Sequence, residues 1–289
     1  MSNSQVLQFS YEFFPPRTPT MTRRLWRAVG QLERLNPQFF SMTYGALGST
    51  QQISIDTAIA MHEESLVPVA AHLTCADAAS DEIDTVAKKF HRAGINRIVA
   101  LRGDSSVQAR SGNAYNSAAE LVEGLRRIAD FDISVAAYPE VHPQASSAAA
   151  DLQNLKHKLD AGANRAITQF FFDADCFLRF RDRASRIGIE KPVIPGILPI
   201  HNFDRVRTFS QRCGASLPRS YQGLFESVEH DQQAQYRLSV DLAVDLCERL
   251  AREGVEQFHL YTLNQTDMCL DISLALGSNV SPLRISSAA

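Results

Sequence analysis

The chain has 289 residues, 45% of them apolar and 21% charged, with 29 Lys and Arg against 32 Asp and Glu for a net charge of −3. Without a basic excess or a Lys/Arg block there is no electrostatic case for nucleic acid or an anionic membrane surface. No stretch nears the roughly 18 uninterrupted apolar residues that span a bilayer, and Met1–Gln8 lacks a basic start with an apolar run behind it, so a soluble, cytoplasmic protein without a secretory signal is expected.

In chain order, a β-branched and aromatic run at Leu7–Phe13 predicts the first strand, followed by a helical stripe of Leu25, Val29 and Leu32. Further strands are predicted at Phe39–Thr43, Pro68–Leu73, Arg97–Leu101, Ile133–Tyr138, Ala166–Phe171, Val193–Leu198 and Gln257–Leu263. Several are nearly continuous in apolar character, as parallel strands covered on both faces are. Between them lie helical stripes, for example Ile83, Val86, Ala87 and Phe90; Leu152, Leu155 and Leu159; Phe177, Phe180, Ala184 and Ile187; and Leu238, Leu242, Leu246 and Leu250. Four helices stop at a glycine (Gly94, Gly162, Gly188, Gly254) with a strand a few residues later, which is the connection of a repeated βα unit.

The residues near the C-terminal ends of the eight runs are Glu12, Thr43, His72, Arg102, Tyr138, Gln169, Leu198 and Tyr261, at intervals of 31, 29, 30, 36, 31, 29 and 63. Six intervals near 30 fit one βα unit each, and the last holds extra helical material over about Asn202 to Gln235. The pattern predicts an α/β fold, one (β/α)8 TIM barrel with extra helical material between strands 7 and 8, spanning 1–289 as a single catalytic domain with a short polar tail at 278–289. A doubly wound open sheet is the alternative, weakened by the absence of a G-x-G-x-x-G turn. The five cysteines are scattered without a C-x-x-C pair, so free thiols are expected.

In a barrel of this kind the site lies at the C-terminal strand ends. Polar side chains gather there: Glu12, Thr43, His72, Arg102, Asp104, Tyr138, Gln169 and Tyr261. Taken singly, Arg102 and Asp104 could be a structural ion pair and His72 a hydrogen-bonded core histidine; a ring of such positions on one face is harder to explain that way. A metal site built from Glu12, His72, Asp104 and Glu140 is one alternative, but no H-x-H or H-x-x-x-H spacing stands at a strand end. No P-loop and no G-x-S-x-G elbow occurs. After strand 5, Asp151, Asn154 and Lys158 share one helix face, which reads either as a solvated face or as a cradle for a ribose and diphosphate.

The segments Tyr11-Glu12-Phe13-Phe14-Pro15-Pro16-Arg17, Thr43-Tyr44-Gly45, His72-Leu73-Thr74 and Leu101-Arg102-Gly103-Asp104 stand in order, followed by the run from Ala136 to Pro143. The run from Asp160 to Phe171, then Pro195-Gly196-Ile197-Leu198-Pro199 and Tyr261-Thr262-Leu263-Asn264, complete the set. On these motifs the chain resembles the bacterial 5,10-methylenetetrahydrofolate reductase family over nearly its whole length. The resemblance implies a (β/α)8 barrel holding FAD and a ping-pong hydride relay through the flavin N5. NADH or NADPH reduces the flavin, leaves, and 5,10-methylenetetrahydrofolate then takes the hydride to become 5-methyltetrahydrofolate. By the same resemblance Glu12 is the general acid that protonates the departing N10, and Asp104 lies by the flavin and pterin, where its charge favours a cationic iminium.

The resemblance further assigns Thr43, His72, Arg102, Gly103, Asp104, Tyr115, Ala136, Tyr138, His142, Asp151, Asn154, His157 and Lys158 to cofactor binding. Gln169, Phe209 and Tyr261 are assigned with Glu12 to the substrate. Three positions depart from the familiar enterobacterial pattern: His157 and Gln265 each replace an arginine, and Arg205 replaces a glutamine. The last two read as an exchange of charge at the substrate mouth. A homo-oligomer is implied by analogy, and no metal. The same chemistry run chiefly as oxidation of 5-methyltetrahydrofolate is the alternative, with a metal-dependent lyase and a non-catalytic binding module further off.

Overall fold

The computed structural model describes residues 6–45, 49–76, 78–103 and 114–281. Nine strands form one parallel sheet: β1 (Gln8–Phe13), β2 (Phe40–Met42), β3 (Val69–Thr74), β4 (Arg97–Leu101), β5 (Asp132–Ala137), β6 (Arg165–Thr168), β7 (Val193–Ile194), β8 (Gly196–Ile197) and β9 (Gln257–Tyr261). Their order is β7-β6-β5-β4-β3-β2-β1-β9-β8. The two end strands are one stretch of chain interrupted at Pro195, β7 pairing with β6 and β8 with β9, so the ring closes through residues 193–197. This is the (β/α)8 barrel, with its seventh strand split in two.

The split departs from the single strand expected over Val193–Leu198, and the cause is local. Proline has no N–H for the ladder, while its carbonyl accepts from His259 N at 2.9 Å, turning the chain from β6 to β9. Gly196 N then donates to Thr168 Oγ1 at 2.9 Å rather than to a strand carbonyl. A Cβ at residue 196 would lie 2.2 Å from Thr168 O and 2.6 Å from the Tyr261 ring, so only glycine passes this crossing. β6 also ends at Thr168, short of the expected Phe171, because Phe170 and Phe172 turn to a separate apolar cluster at the rim.

Helices surround the ring: α1 (Pro19–Glu33), α2 (Ser49–Glu64), α3 (Ser80–Arg92), α4 (Ala118–Ile128), α5 (Ala148–Asp160), α6 (Ala174–Arg186), α7 (Phe203–Cys213), α8 (Arg219–Ser227), α9 (Gln232–Arg252) and α10 (Asp267–Ala275). Side-chain oxygens of Thr18, Ser117, Ser147, Asp173, Asn202 and Asp231 accept backbone N–H groups at six of the N-termini. All four glycines expected to close helices have positive φ: 87° at Gly94, 118° at Gly162, 81° at Gly188 and 86° at Gly254. The extra helical material is α7 and α8; Val206, Ala215 and Phe225 pack there on Phe170, Phe172, Leu198 and Ile200, raising a wall beside the mouth.

Strand alternation divides the side chains between the helix layer and the lumen. Phe9, Tyr11 and Phe13 of β1 join the main core beneath the helices, whereas Ser10 and Glu12 reach His259 and His72 inside the ring. Phe39, Ala70, Val99, Ile167 and Ile194 fill the lumen below the mouth. At the N-terminal strand ends Asp132 bridges Arg97 at 3.5 Å and Arg165 at 2.9 Å. All five cysteines are free thiols, and no helix among the described residues is long and apolar enough to cross a membrane.

Candidate active site

The C-terminal strand ends enclose a cavity of about 320 Å3 lined by Glu12, Thr43, His72, Ala136, Tyr138 and Gln169, with Val99, Leu101, Ile167, Leu198, Phe209 and Tyr261 among its apolar and aromatic walls. Glu12, next to last in β1, lies opposite Ser41 of β2 and Tyr261 of β9. Its backbone carbonyl accepts from Thr262 Oγ1 at 2.6 Å, which ties the strand end down and leaves the carboxylate to the lumen. Both nearby imidazoles meet the same oxygen, His72 Nε2 at 3.3 Å and His259 Nε2 at 3.6 Å from Oε2. Burial pushes the His72 imidazole below its ordinary value, against the opposing pull of Glu12.

The cavity wall includes an aromatic row. Phe209 of α7, 46% exposed, stacks on Phe170 at 5.5 Å between centroids, and Phe170 meets Tyr261 edge-on at 6.3 Å. The Tyr261 hydroxyl donates to Thr168 O at 2.7 Å and burial holds it well above the ordinary phenol range, so Tyr261 offers its ring to the cavity rather than its hydroxyl.

A groove of about 600 Å3 adjoins the cavity and shares Tyr44, Thr74, Leu101, Ala136 and Tyr138 with it. Its walls carry Arg102, Gly103, His142, Asp151, Asn154 and Lys158. Lys158 is buried, and its Nζ donates to Ala136 O at 2.6 Å. Burial lowers its ammonium to about 8, with Asp151 opposing. Asp151 Oδ2 accepts from His142 N at 2.9 Å, fixing the turn after β5, and the His142 ring packs edge-on against Tyr138 at 4.5 Å. Arg102 Nη2 donates to Gln144 Oε1 across the groove. The solvated-face reading of Asp151, Asn154 and Lys158 is therefore overturned at Lys158, which points into the molecule.

Several expected residues stand elsewhere. Asp104 lies outside the described residues. The Tyr115 hydroxyl donates to Asp84 Oδ1 of α3 at 2.8 Å, and its ring lies so close to Gly124 that a Cβ there would fall 2.1 Å from the hydroxyl; the side chain packs between helices and does not line the groove, although Asn116 and Ser117 beside it do. His157 is exposed on α5, 3.1 Å from Gln153 Nε2, and does not line the groove. Arg205 is exposed one turn before Phe209, and Gln265 is exposed two residues after the cavity-lining Leu263; neither lines the cavity.

Of the alternative metal set, Glu140 stands in a different cleft, where its Oε1 accepts from Ser216 N at 2.7 Å. Among the described residues no group of three His, Cys, Asp or Glu is placed to hold a metal ion. That second cleft, about 910 Å3 between α6, α8 and α9, is larger than the mouth cavity but holds none of the strand-end residues, and two of its arginines are paired, Arg249 with Asp175 at 3.0 Å and Arg179 with Asp173 at 3.7 Å. Sequence reasoning passed over Ser10, Ser41 and His259. Their signal was the alternation itself, since each lies two residues from a cavity-lining position and so faces the lumen.

Comparison with known proteins places this geometry in context. Residues 1–277 match the family described as methylenetetrahydrofolate reductase. The chain is 46% identical over 271 residues to 5,10-methylenetetrahydrofolate reductase of Salmonella typhimurium, covering 94% of this chain and 91% of that one. It is 45% identical to the Escherichia coli protein of the same description, with the same coverage. Among solved structures, a protein from Clostridium thermocellum described as binding two copies of 5-methyl-5,6,7,8-tetrahydrofolic acid shares the fold, with a TM-score of 0.63 at 14% identity over 94% of this chain and 95% of that one.

Proposed function

The chain belongs to the methylenetetrahydrofolate reductase family, and on that premise we propose that it reduces 5,10-methylenetetrahydrofolate to 5-methyltetrahydrofolate with bound FAD and a nicotinamide cofactor as electron donor. The observation that carries this reading is the placement of Glu12, a carboxyl at the mouth of an apolar-walled cavity, beside a groove whose inner wall ends in a buried ammonium.

The groove suits FAD on its own chemistry. A buried cation with a single carbonyl hydrogen bond is costly to keep, and Lys158 gains a counter-charge when a diphosphate lies against it. Arg102 supplies a second cation and Asn154 a neutral polar group on the same walls. Gly103 keeps the wall low: a Cβ there would sit 3.0 Å from the Thr74 side chain. Ala136 and Tyr138, common to groove and cavity, would hold FAD together with Thr43 and His72 of the cavity wall. When bound, FAD supplies hydride transfer between the nicotinamide and the folate.

The residues of the chain do the rest. Opening the methylene bridge breaks the bond from the methylene carbon to N10; the N5 lone pair forms the iminium, and the electron pair left on N10 takes a proton from Glu12. Gln169 faces the cavity with an amide able to pair with the donor and acceptor edge of a pterin. Phe209 and Phe170 supply a flat surface for a flat ligand, and Leu198, Val99 and Ile167 exclude water from the centre. The fold shared with a protein that binds a reduced folate supports the substrate class.

The test is an absorption spectrum of the purified protein supplied with FAD, followed by anaerobic titration with NADH or NADPH and then with methylenetetrahydrofolate. A flavin spectrum that bleaches with the nicotinamide and returns with the folate is expected. A protein that takes up no flavin, or whose reduced flavin is indifferent to the folate, overturns the reading.

A further inference from the structure

Beneath Glu12 the lumen holds a polar stack that the chemistry above does not use. β1 and β9 pair with Ser10 opposite His259 and Glu12 opposite Tyr261. His259 is 1% exposed; its Nδ1 lies 2.7 Å from Ser10 Oγ, and its Nε2 lies 3.6 Å from Glu12 Oε2 and 3.5 Å from Ser41 Oγ. The neighbouring lumen positions are Val99, Ile167 and Ile194, so this polar stack occupies space that apolar side chains would fill at lower cost.

We propose that His259 is a positioning residue for the proton chemistry of Glu12: anchored at Nδ1 by Ser10, its imidazole turns Nε2 toward Oε2 and holds the carboxyl at the lumen wall where it serves as proton donor. This rests on reading Glu12 as that donor. The hydroxyl hydrogen of Ser10 has the Phe258 carbonyl within 3.4 Å, which leaves Oγ to accept from Nδ1–H. Nε2 then carries a lone pair. Ser41 Oγ, 3.5 Å from Nε2, reaches the same nitrogen, so the ring is held at both ends with Nε2 facing Oε2.

The other groups against Glu12 are His72 and Tyr261. His72 is kept uncharged by burial and supplies no cation, and Tyr261 is kept as the neutral phenol by burial. After the proton passes to N10, the resulting carboxylate is recharged from water entering as product leaves.

The test uses the FAD-loaded protein, measuring the nicotinamide and folate half-reactions separately by stopped flow across pH, together with 15N NMR of the imidazoles without substrate. His259→Asn keeps a donor for Ser10 and removes Nε2; His259→Gln places an amide near the Nε2 position. The Asn variant should slow the folate half-reaction at least about ten-fold more than the nicotinamide half-reaction. The Gln variant should recover part of the loss, and the pH profile of the folate half-reaction should move in the Asn variant while that of the nicotinamide half-reaction stays. The wild-type spectrum should show His259 protonated at Nδ1 and bare at Nε2. The opposite tautomer, or equal loss in both half-reactions with an unmoved pH profile, overturns the proposal. If the wild-type protein passes no hydride to the folate, the reading of Glu12 itself fails, and the tautomer, read without substrate, tells the two failures apart.

Discussion

Lys158 Nζ donates to the carbonyl oxygen of Ala136 at 2.6 Å, so a charged side chain from α5 reaches the C-terminal end of β5 inside the groove wall. Burial brings its ammonium from 10.5 to about 8, a cost on the order of 3 kcal/mol at neutral pH. Because the folded value lies below the unfolded one, the unfolded chain holds more protons between pH 8 and 10.5. The penalty is therefore present in full below 8 and relieved as pH rises through that window. An anion in the groove needs the charged form, so the affinity for FAD should fall as pH rises past about 8. Lys158→Met should weaken FAD binding at least about ten-fold at pH 7 while the flavin-free protein melts higher by about 1–2 kcal/mol of added stability. Flavin fluorescence titration and thermal melts read the two effects; a destabilised flavin-free variant would contradict this account of Lys158.

Glu12→Gln keeps the shape of the side chain and removes its acidic proton. Loss of a positioned general acid costs about 10²–10⁴-fold in the step it serves. The folate half-reaction should fall by that factor and the nicotinamide half-reaction by far less, since hydride donation by a nicotinamide releases no leaving group. Rapid-reaction absorbance of the flavin distinguishes them, and parallel losses in the two would remove Glu12 from the role of proton donor.

At the crossing of β6, β8 and β9, Gly196→Ala would drive a methyl group to 2.2 Å from Thr168 O and 2.6 Å from the Tyr261 ring. Backbone and a buried ring cannot both give way, and overpacking of this kind costs about 3 kcal/mol. Chemical denaturation should show that loss. The displaced Tyr261 should also raise the KM for the folate more than it lowers kcat, because the ring is part of the cavity wall.

The barrel was legible because βα units recur at a near-constant interval and because four helices end at glycines whose φ is positive in the structure. What the pattern missed are departures set by contacts between distant segments. Pro195 splits a strand whose apolar run looks continuous, since a missing N–H leaves no trace in hydrophobicity. The strand-end rule found Glu12, Thr43, His72, Tyr138 and Gln169 together at one cavity. It said nothing of direction on helices, so Lys158 stood between a solvated face and a phosphate contact, whereas its side chain turns inward; Tyr115, assigned to the cofactor by resemblance alone, bonds Asp84. His259 escaped because it lies one layer below the strand ends, where only the two-residue alternation marks it as facing Glu12.

At the opposite end of the barrel, Asp132 stands between Arg97 and Arg165, at 3.5 Å and 2.9 Å, with all three side chains 22–30% exposed. The Arg97 guanidinium is held below its ordinary value by burial, with Asp132 opposing, and it also lies over the Phe39 ring at 5.5 Å. Asp132→Asn keeps the volume but leaves two half-buried cations facing each other without an anion. A fully buried pair broken in this way costs about 3–5 kcal/mol, and partial exposure to water reduces that to about 1–2 kcal/mol. The loss should shrink as salt is raised, because added ions screen both the attraction in the parent and the repulsion in the variant. The N-terminal face of a (β/α)8 barrel serves stability and the opposite face chemistry. Melting of Asp132→Asn at low and high salt, beside its two half-reactions, should therefore show a lower, salt-dependent Tm with little change in either rate; a rate loss exceeding ten-fold at a temperature where the variant is folded would show that the barrel floor transmits strain to the mouth.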